Sequence, residues 1–209
     1  MPIPNREITA LETYWDRLFD GTALPDRKLI DPRRIESSLP YTFIAERMQN
    51  GITKFRVAGA HLQDLMGMDV RGMPISALFT PESRDRVGRA IQKASETPAQ
   101  VRINIRGPET IGQPELAGTL ILMPLATSQP QTKLLLGALE TEGQIGRPPR
   151  RFEIKLAAMK RIYFAEKPKP AVTVSDAFEE ETTPFRHEGA PHLRLVTDHG
   201  RRIGRGSTD

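Results

Sequence analysis

Four histidines and no cysteine bound the chemistry open to this 209-residue chain. Without a thiol it has no disulfide, thiolate zinc site, cysteine nucleophile, covalent c-type haem or cysteinyl flavin adduct. His61 stands alone behind Gly59, and His187, His192 and His199 are spaced unlike a helical or finger-type zinc site. There is no phosphate loop ending in Lys-Ser/Thr, no Gly-x-Ser-x-Gly and no His-Glu-x-x-His. The glycines and arginines of residues 200–206 have neither a strand before them nor a helix after them. These residues point away from an enzyme, and no cofactor or metal site is expected.

What the chain does offer is arginine. Arg147, Arg150 and Arg151 flank Pro148-Pro149 in its densest basic stretch. Guanidinium groups pair bidentately with phosphates and carboxylates, so these three form a candidate patch for an anionic nucleotide or an acidic partner. Phe152, Tyr163 and Phe164 are interleaved with the basic residues of 147–169. That pattern suits nucleic-acid binding, although a solvated basic edge is the plainer reading.

The charge is unevenly placed. The net +4 and pI of about 9.6 suggest a basic protein, yet residues 1–142 carry 17 basic and 17 acidic side chains and are neutral. The excess lies in 143–209, basic over 144–170, acidic over 171–193 and basic again at the end. Beyond about residue 166 the composition is Pro, charge and small polar groups without periodicity, which predicts disorder. No run approaches 18 apolar residues, and the first residues lack the charged and apolar regions of a secretory signal. Together with the absent cysteine, this makes the cytoplasm the expected location.

The elements follow from periodicity. Ile8, Leu11, Trp15 and Leu18, widened by Phe19, make one apolar stripe on a helix over 7–20 that Gly21 ends. A helical turn is expected at 31–35, with Asp31 as cap and Pro32 in the first turn. Runs 41–48 and 52–58 form a hairpin around Asn50-Gly51, with Thr53, Phe55 and Val57 on one face. A short helix over 60–66 stops at Gly67. A longer one begins at Thr80-Pro81-Glu82, with Thr80 as its cap; Val87, Ala90, Ile91 and Ala94 form its buried stripe, and Arg86, Arg89 and Lys93 a basic stripe on another side.

Three strands follow. Val101, Ile103 and Ile105 alternate with polar residues, whereas 116–125 and 134–139 are apolar on both faces. An antiparallel strand with two apolar faces needs a cover on each. The first helix is one candidate for the second cover and a partner subunit is another. Residues 151–163 fit either period: Phe152, Ile154 and Leu156 alternate as in a strand, while Phe152, Leu156, Met159 and Tyr163 suit a helix.

This order resembles a PAS domain, and more narrowly the standalone PAS-like family common in alphaproteobacteria and long classed as a domain of unknown function. The resemblance is carried by Tyr14-Trp15, by Asp31-Pro32 through Leu39-Pro40-Tyr41, and by Phe55-Arg56-Val57-Ala58-Gly59 into Leu62, Leu65 and Gly67. Arg71-Gly72 and Leu78-Phe79-Thr80-Pro81-Glu82 continue it. It implies an α+β fold: a five-stranded antiparallel sheet with short helices on one face, preceded by the amphipathic helix of 1–21. The PAS-like core would span 22–142, followed by a basic ordered extension over 143–165 and a mixed-charge tail over 166–209.

The resemblance also implies a bacterial signal-transduction protein, non-enzymatic, that works by contact with a signalling partner or by self-association into a homo-oligomer. Leu11, Trp15, Leu18 and Phe19 are then the candidate interaction surface. The first alternative is a small-molecule sensor whose pocket is lined by Phe55, Val57, Leu65, Met66, Phe79, Ile91, Ile103 and Leu122, with Thr53 and Asn104 as polar contributors, or that holds a nucleotide at the arginine patch. The second is nucleic-acid binding through the extension. Haem-binding PAS domains carry a ligating His on the long helix, and residues 81–95 contain none.

Overall fold

The computed structural model describes residues 5–128 and 132–165. The tail over 166–209, with His187, His192 and His199, lies outside the described residues.

A six-stranded antiparallel sheet forms the frame. Its strands are β1 (Thr42–Arg47), β2 (Thr53–Ala58), β3 (Ala99–Gly107), β4 (Leu116–Leu125), β5 (Lys133–Glu142) and β6 (Glu153–Arg161), arranged β2-β1-β5-β4-β3-β6. The expected sheet of five is therefore corrected to six, because the ambiguous segment folds as a strand. It lies antiparallel to β3, with Ile103 opposite Ala157 and Val101 opposite Met159. Ladder hydrogen bonds to an existing edge settle a pattern that its apolar period alone leaves open.

Helices α2 (Ala60–Met66) and α3 (Pro81–Glu96), with a 3-10 turn at Ile75–Leu78, cover the inner face. Gly67 ends α2 at φ +70°, the left-handed cap in which glycine carries no steric penalty. Helix α3 starts at Pro81 as expected and buries Ser83, Val87, Ile91 and Ala94. Thr80 occupies its cap position, yet the hydroxyl makes no capping bond and is buried without a partner. The inner core joins Leu62, Leu65, Phe79 and Ile91 to Phe43, Phe55, Ile103, Leu122 and Leu135 of the sheet.

Helix α1 (Arg6–Leu18) covers the opposite face. Ile8, Leu11, Tyr14 and Trp15 meet Ile121, Met123, Leu125, Leu134, Leu136 and Ala138, the outward-facing residues of β4 and β5. The doubly apolar strands thus obtain their second cover from this same chain. The two cores are separate clusters with the sheet between them. The connector from α1 back to the sheet runs through a 3-10 segment, Pro32–Tyr41, started by Asp31, whose side chain accepts from Arg33 N at 3.0 Å.

Two bulges decide which side chains face inward. In β2, Phe55 pairs with Ala45 but Val57 pairs with Ile44, leaving Arg56 as the extra residue. Because side chains alternate with period two, one extra residue sends all that follow to the other face. Val57 is accordingly 50% exposed, and its expected place beside Phe55 is corrected. In β6 the bulge at Lys155 does the same, so Ile154 joins the inner core while Leu156 turns outward and is 60% exposed.

Candidate functional site

Seven of the eight candidate pocket residues (Phe55, Leu65, Met66, Phe79, Ile91, Ile103 and Leu122) come together in the inner core and are buried there. Val57 is the exception. They pack against one another and against Phe43, whose ring lies 5.1 Å from that of Phe55 in an edge-to-face contact. Close packing of this kind is what protein interiors normally do.

Open space lies at the rim of this core. A cavity of about 240 Å³ sits between the β1–β2 hairpin and α3, with Ile52, Val87 and Ile91 as apolar lining and Arg47, Thr53, Arg84 and Asp85 as polar lining. Thr53 is 6% exposed and its Oγ1 has no hydrogen-bond partner. A buried hydroxyl without a partner costs about 1–3 kcal/mol of desolvation. Asn104, the other polar candidate, is exposed on the outer face, where its Oδ1 accepts from Thr119 Oγ1 at 3.4 Å.

The arginine patch does not exist as one surface. Arg147 is exposed, whereas Arg150 is only 1% exposed. Its guanidinium donates from Nη1 to the Ile145 carbonyl at 2.6 Å and from Nη2 to the Pro114 carbonyl at 2.7 Å. Its backbone N–H donates to Leu65 O at 2.7 Å. Arg150 thus clamps the segment entering β6 to the β3–β4 loop and to α2, with no carboxylate beside it among the described residues. Burial holds its guanidinium below the ordinary arginine value. Arg151 is half-buried, with Nη1 3.3 Å from Met66 Sδ, and burial together with the nearby Arg84 charge lowers its value too. A run of charge in sequence reads as solvated, so residue order alone points to a patch at Arg150 and not to a clamp.

The candidate interaction stripe is also placed otherwise. Leu11 and Trp15 are buried against the chain's own sheet, and Leu18 and Phe19 are half-buried beside them. Trp15 Nε1 donates to Pro124 O at 3.0 Å, and its ring stacks on Phe19 with centroids 5.5 Å apart. Polar contacts frame the stripe: Glu12 with Arg102 at 2.7 Å, Asp16 with Gln100 at 2.7 Å, and the Ile8 N–H with Glu140 at 3.1 Å. Tyr14 Oη donates to Leu29 O and accepts from Asp31 N, tying the connector to the helix. In this conformation the stripe is an internal contact, and the correction is that it offers no free surface while α1 is seated.

His61 is half-buried at the start of α2. Its Nε2 lies 2.9 Å from Thr141 Oγ1 and its ring packs 4.9 Å from Tyr41. Burial lowers its value, with Asp64 opposing the shift. Among the described residues no three metal-ligating side chains come together.

The family model for the PAS domain matches residues 4–140. The chain belongs to the PAS domain family. The matched residues take in α1, the inner-face helices and nearly all of strands β1–β5. No curated protein matches the chain significantly. Membership gives this PAS protein a sensory or signalling role. Strand β6 and the Arg150 clamp lie beyond the matched residues, so the family pattern does not account for them. Among the described residues no helix is long and apolar enough to cross a membrane.

Proposed function

We propose that this PAS protein is a non-enzymatic regulator acting through protein contact, and that α1 is its switching element. The observation that carries this reading is the division into two cores. Helix α1 and its connector close a cluster on the outer face that shares no residue with the cluster under α2 and α3. Lifting α1 would uncover Ile121, Met123, Leu125, Leu134 and Leu136, a contiguous apolar face, while leaving the inner core shut. A contiguous apolar patch of that kind on a folded protein marks an interaction surface, and a small difference in binding to the open and closed forms shifts their populations. The exposed face would take a signalling partner or a second copy of the chain.

Trp15→Ala tests this in the full chain. Removing a buried tryptophan costs about 3–5 kcal/mol, and here the loss falls on the seating of α1. The variant should keep the β-sheet circular dichroism of the parent, bind a hydrophobic dye and self-associate in sedimentation velocity. A variant that stays monomeric and dye-negative, or that unfolds as a whole, contradicts the reading.

A second reading, a small-molecule sensor, is favoured by one observation, the unpartnered Thr53 hydroxyl in the rim cavity. A ligand acceptor would satisfy that hydroxyl. Thr53→Val removes it at nearly constant volume and should raise the stability of the unliganded protein by about 1 kcal/mol, measured by urea denaturation. On this reading it should also abolish any thermal shift that a metabolite panel produces in the parent. A destabilised Thr53→Val protein would mean that the hydroxyl already has a partner.

A further inference from the structure

Among the described residues strand β6 ends the sheet: it pairs with β3 on one side and no described strand lies on the other. Beside its inner face runs α3, and the two enclose a groove of about 340 Å³. Its floor is Ala157 and Met159, and its wall is the basic stripe Arg86, Arg89 and Lys93. Arg86 Nη1 donates to Ile154 O at 2.9 Å, holding helix and strand together.

The groove's lining holds these three cations and no carboxylate. Elsewhere Arg56 meets Glu46, Arg71 meets Asp69, Arg102 meets Glu12 and Arg106 meets Glu115. Among the described residues no carboxylate comes within ion-pair distance of Arg86, Arg89 or Lys93, although Glu82 and Asp85 stand one turn before the two arginines. Three cations thus stand beside an apolar floor and a strand edge that is unpaired among the described residues.

We propose that this groove receives an acidic segment of a partner protein, which adds to β6 as a seventh strand. This rests on the reading of the protein as a contact-based regulator and names a surface separate from the one under α1. Strand addition draws affinity from main-chain hydrogen bonds and specificity from alternate side chains. Alternate residues of a strand are about 6.7 Å apart, and Arg86, Arg89 and Lys93 rise along α3 in steps of about 4.5 and 6 Å. Two or three carboxylates at alternate positions therefore meet the three cations. The other side chains of the segment fall on the face where β6 exposes Leu156 and Ala158, and there apolar residues fit. The recognised pattern is acidic and apolar residues in alternation. A second copy of β6 is a poor occupant, since Lys155, Lys160 and Arg161 would meet their own kind.

The test uses the full chain and a fluorescein-labelled synthetic peptide, Gly-Glu-Val-Glu-Thr-Glu-Val-Glu-Gly, followed by anisotropy. Binding should be saturable and weaken with salt. The double variant Arg89→Glu, Lys93→Glu changes two wall residues and should weaken binding at least tenfold, while a peptide with Lys in place of Glu should bind this variant better than the parent. A peptide of the same charge with Pro at its centre should bind at least tenfold more weakly. The proposal is overturned if the acidic peptide does not bind, if the double variant binds it as the parent does, or if the Pro peptide binds equally well. Displacement of the peptide by a poly-dT oligonucleotide that binds more tightly would make the groove a nucleic-acid site and would also overturn it. None of these readings involves α1, so failure here leaves the Trp15→Ala result standing, and the converse holds.

Discussion

Arg150→Ala should lower the stability of this PAS protein by about 3 kcal/mol, since a hydrogen bond to a charged group is worth about 1.5–3 kcal/mol and two are lost. The guanidinium spans two carbonyls, Ile145 O and Pro114 O, that belong to separate segments. Relief of a buried charge offsets part of that loss. Arg150→Met separates the two contributions, because it keeps most of the volume and discards both the charge and the hydrogen bonds. Its cost should be about half that of the alanine variant, consistent with the small penalty often seen when a buried ion is replaced by an apolar side chain. Urea midpoints of the three proteins provide the comparison. An alanine variant within about 1 kcal/mol of the parent, less than one such hydrogen bond, would mean that the clamp contributes nothing.

Gly59→Ala should cost about 3 kcal/mol or more, at the upper end of what overpacking does. The reason is space and not backbone conformation, since Gly59 has an ordinary φ of −71°. A Cβ there would stand 2.2 Å from Pro40 O and 2.3 Å from Leu39 O, and both are main-chain atoms that cannot swing aside. The N–H of Gly59 donates to Thr42 O at 2.8 Å, so the backbone is held where the clash occurs. Gly88→Ala is the matched control. It lies on the exposed side of α3, where an added methyl would meet nothing within 4 Å, and should stabilise the helix by about 0.5–1 kcal/mol. Opposite signs at the two glycines are the expected result. Equal effects would show that the approach of Pro40 to Gly59 is not tight.

Much of this architecture is legible in residue order. The stripe Ile8, Leu11, Trp15 gives α1, Gly67 marks the end of α2, and Pro81 marks the start of α3. Asn50-Gly51 gives the hairpin, where Gly51 takes φ +82°. The two apolar faces of 116–125 and 134–139 require covers on both sides, and α1 is one of them. What is not legible has identifiable causes. The bulges at Arg56 and Lys155 shift parity without any residue type announcing them, and so Val57 and Leu156 leave the faces that alternation assigns them. Strand β6 depends on pairing with a distant edge. Arg150 is buried because two loops bring carbonyls to it, and local composition carries no trace of that. The rim cavity and the α3–β6 groove arise between elements far apart in the chain. For both, residue order shows only parts, Thr53 in one case and the stripe Arg86, Arg89, Lys93 in the other.

The central claim is that α1 and its connector form a layer that can leave a folded domain. Trp15 is the chain's single tryptophan and sits in that layer, its Nε1 3.0 Å from Pro124 O. Its fluorescence therefore reports the seating of α1, while far-ultraviolet circular dichroism reports the sheet. In a urea titration followed by both signals, Trp15 should become solvent-exposed at lower urea than that at which the sheet is lost, a departure from two-state behaviour. Coincident transitions, with one midpoint and one slope for both probes, would contradict the account.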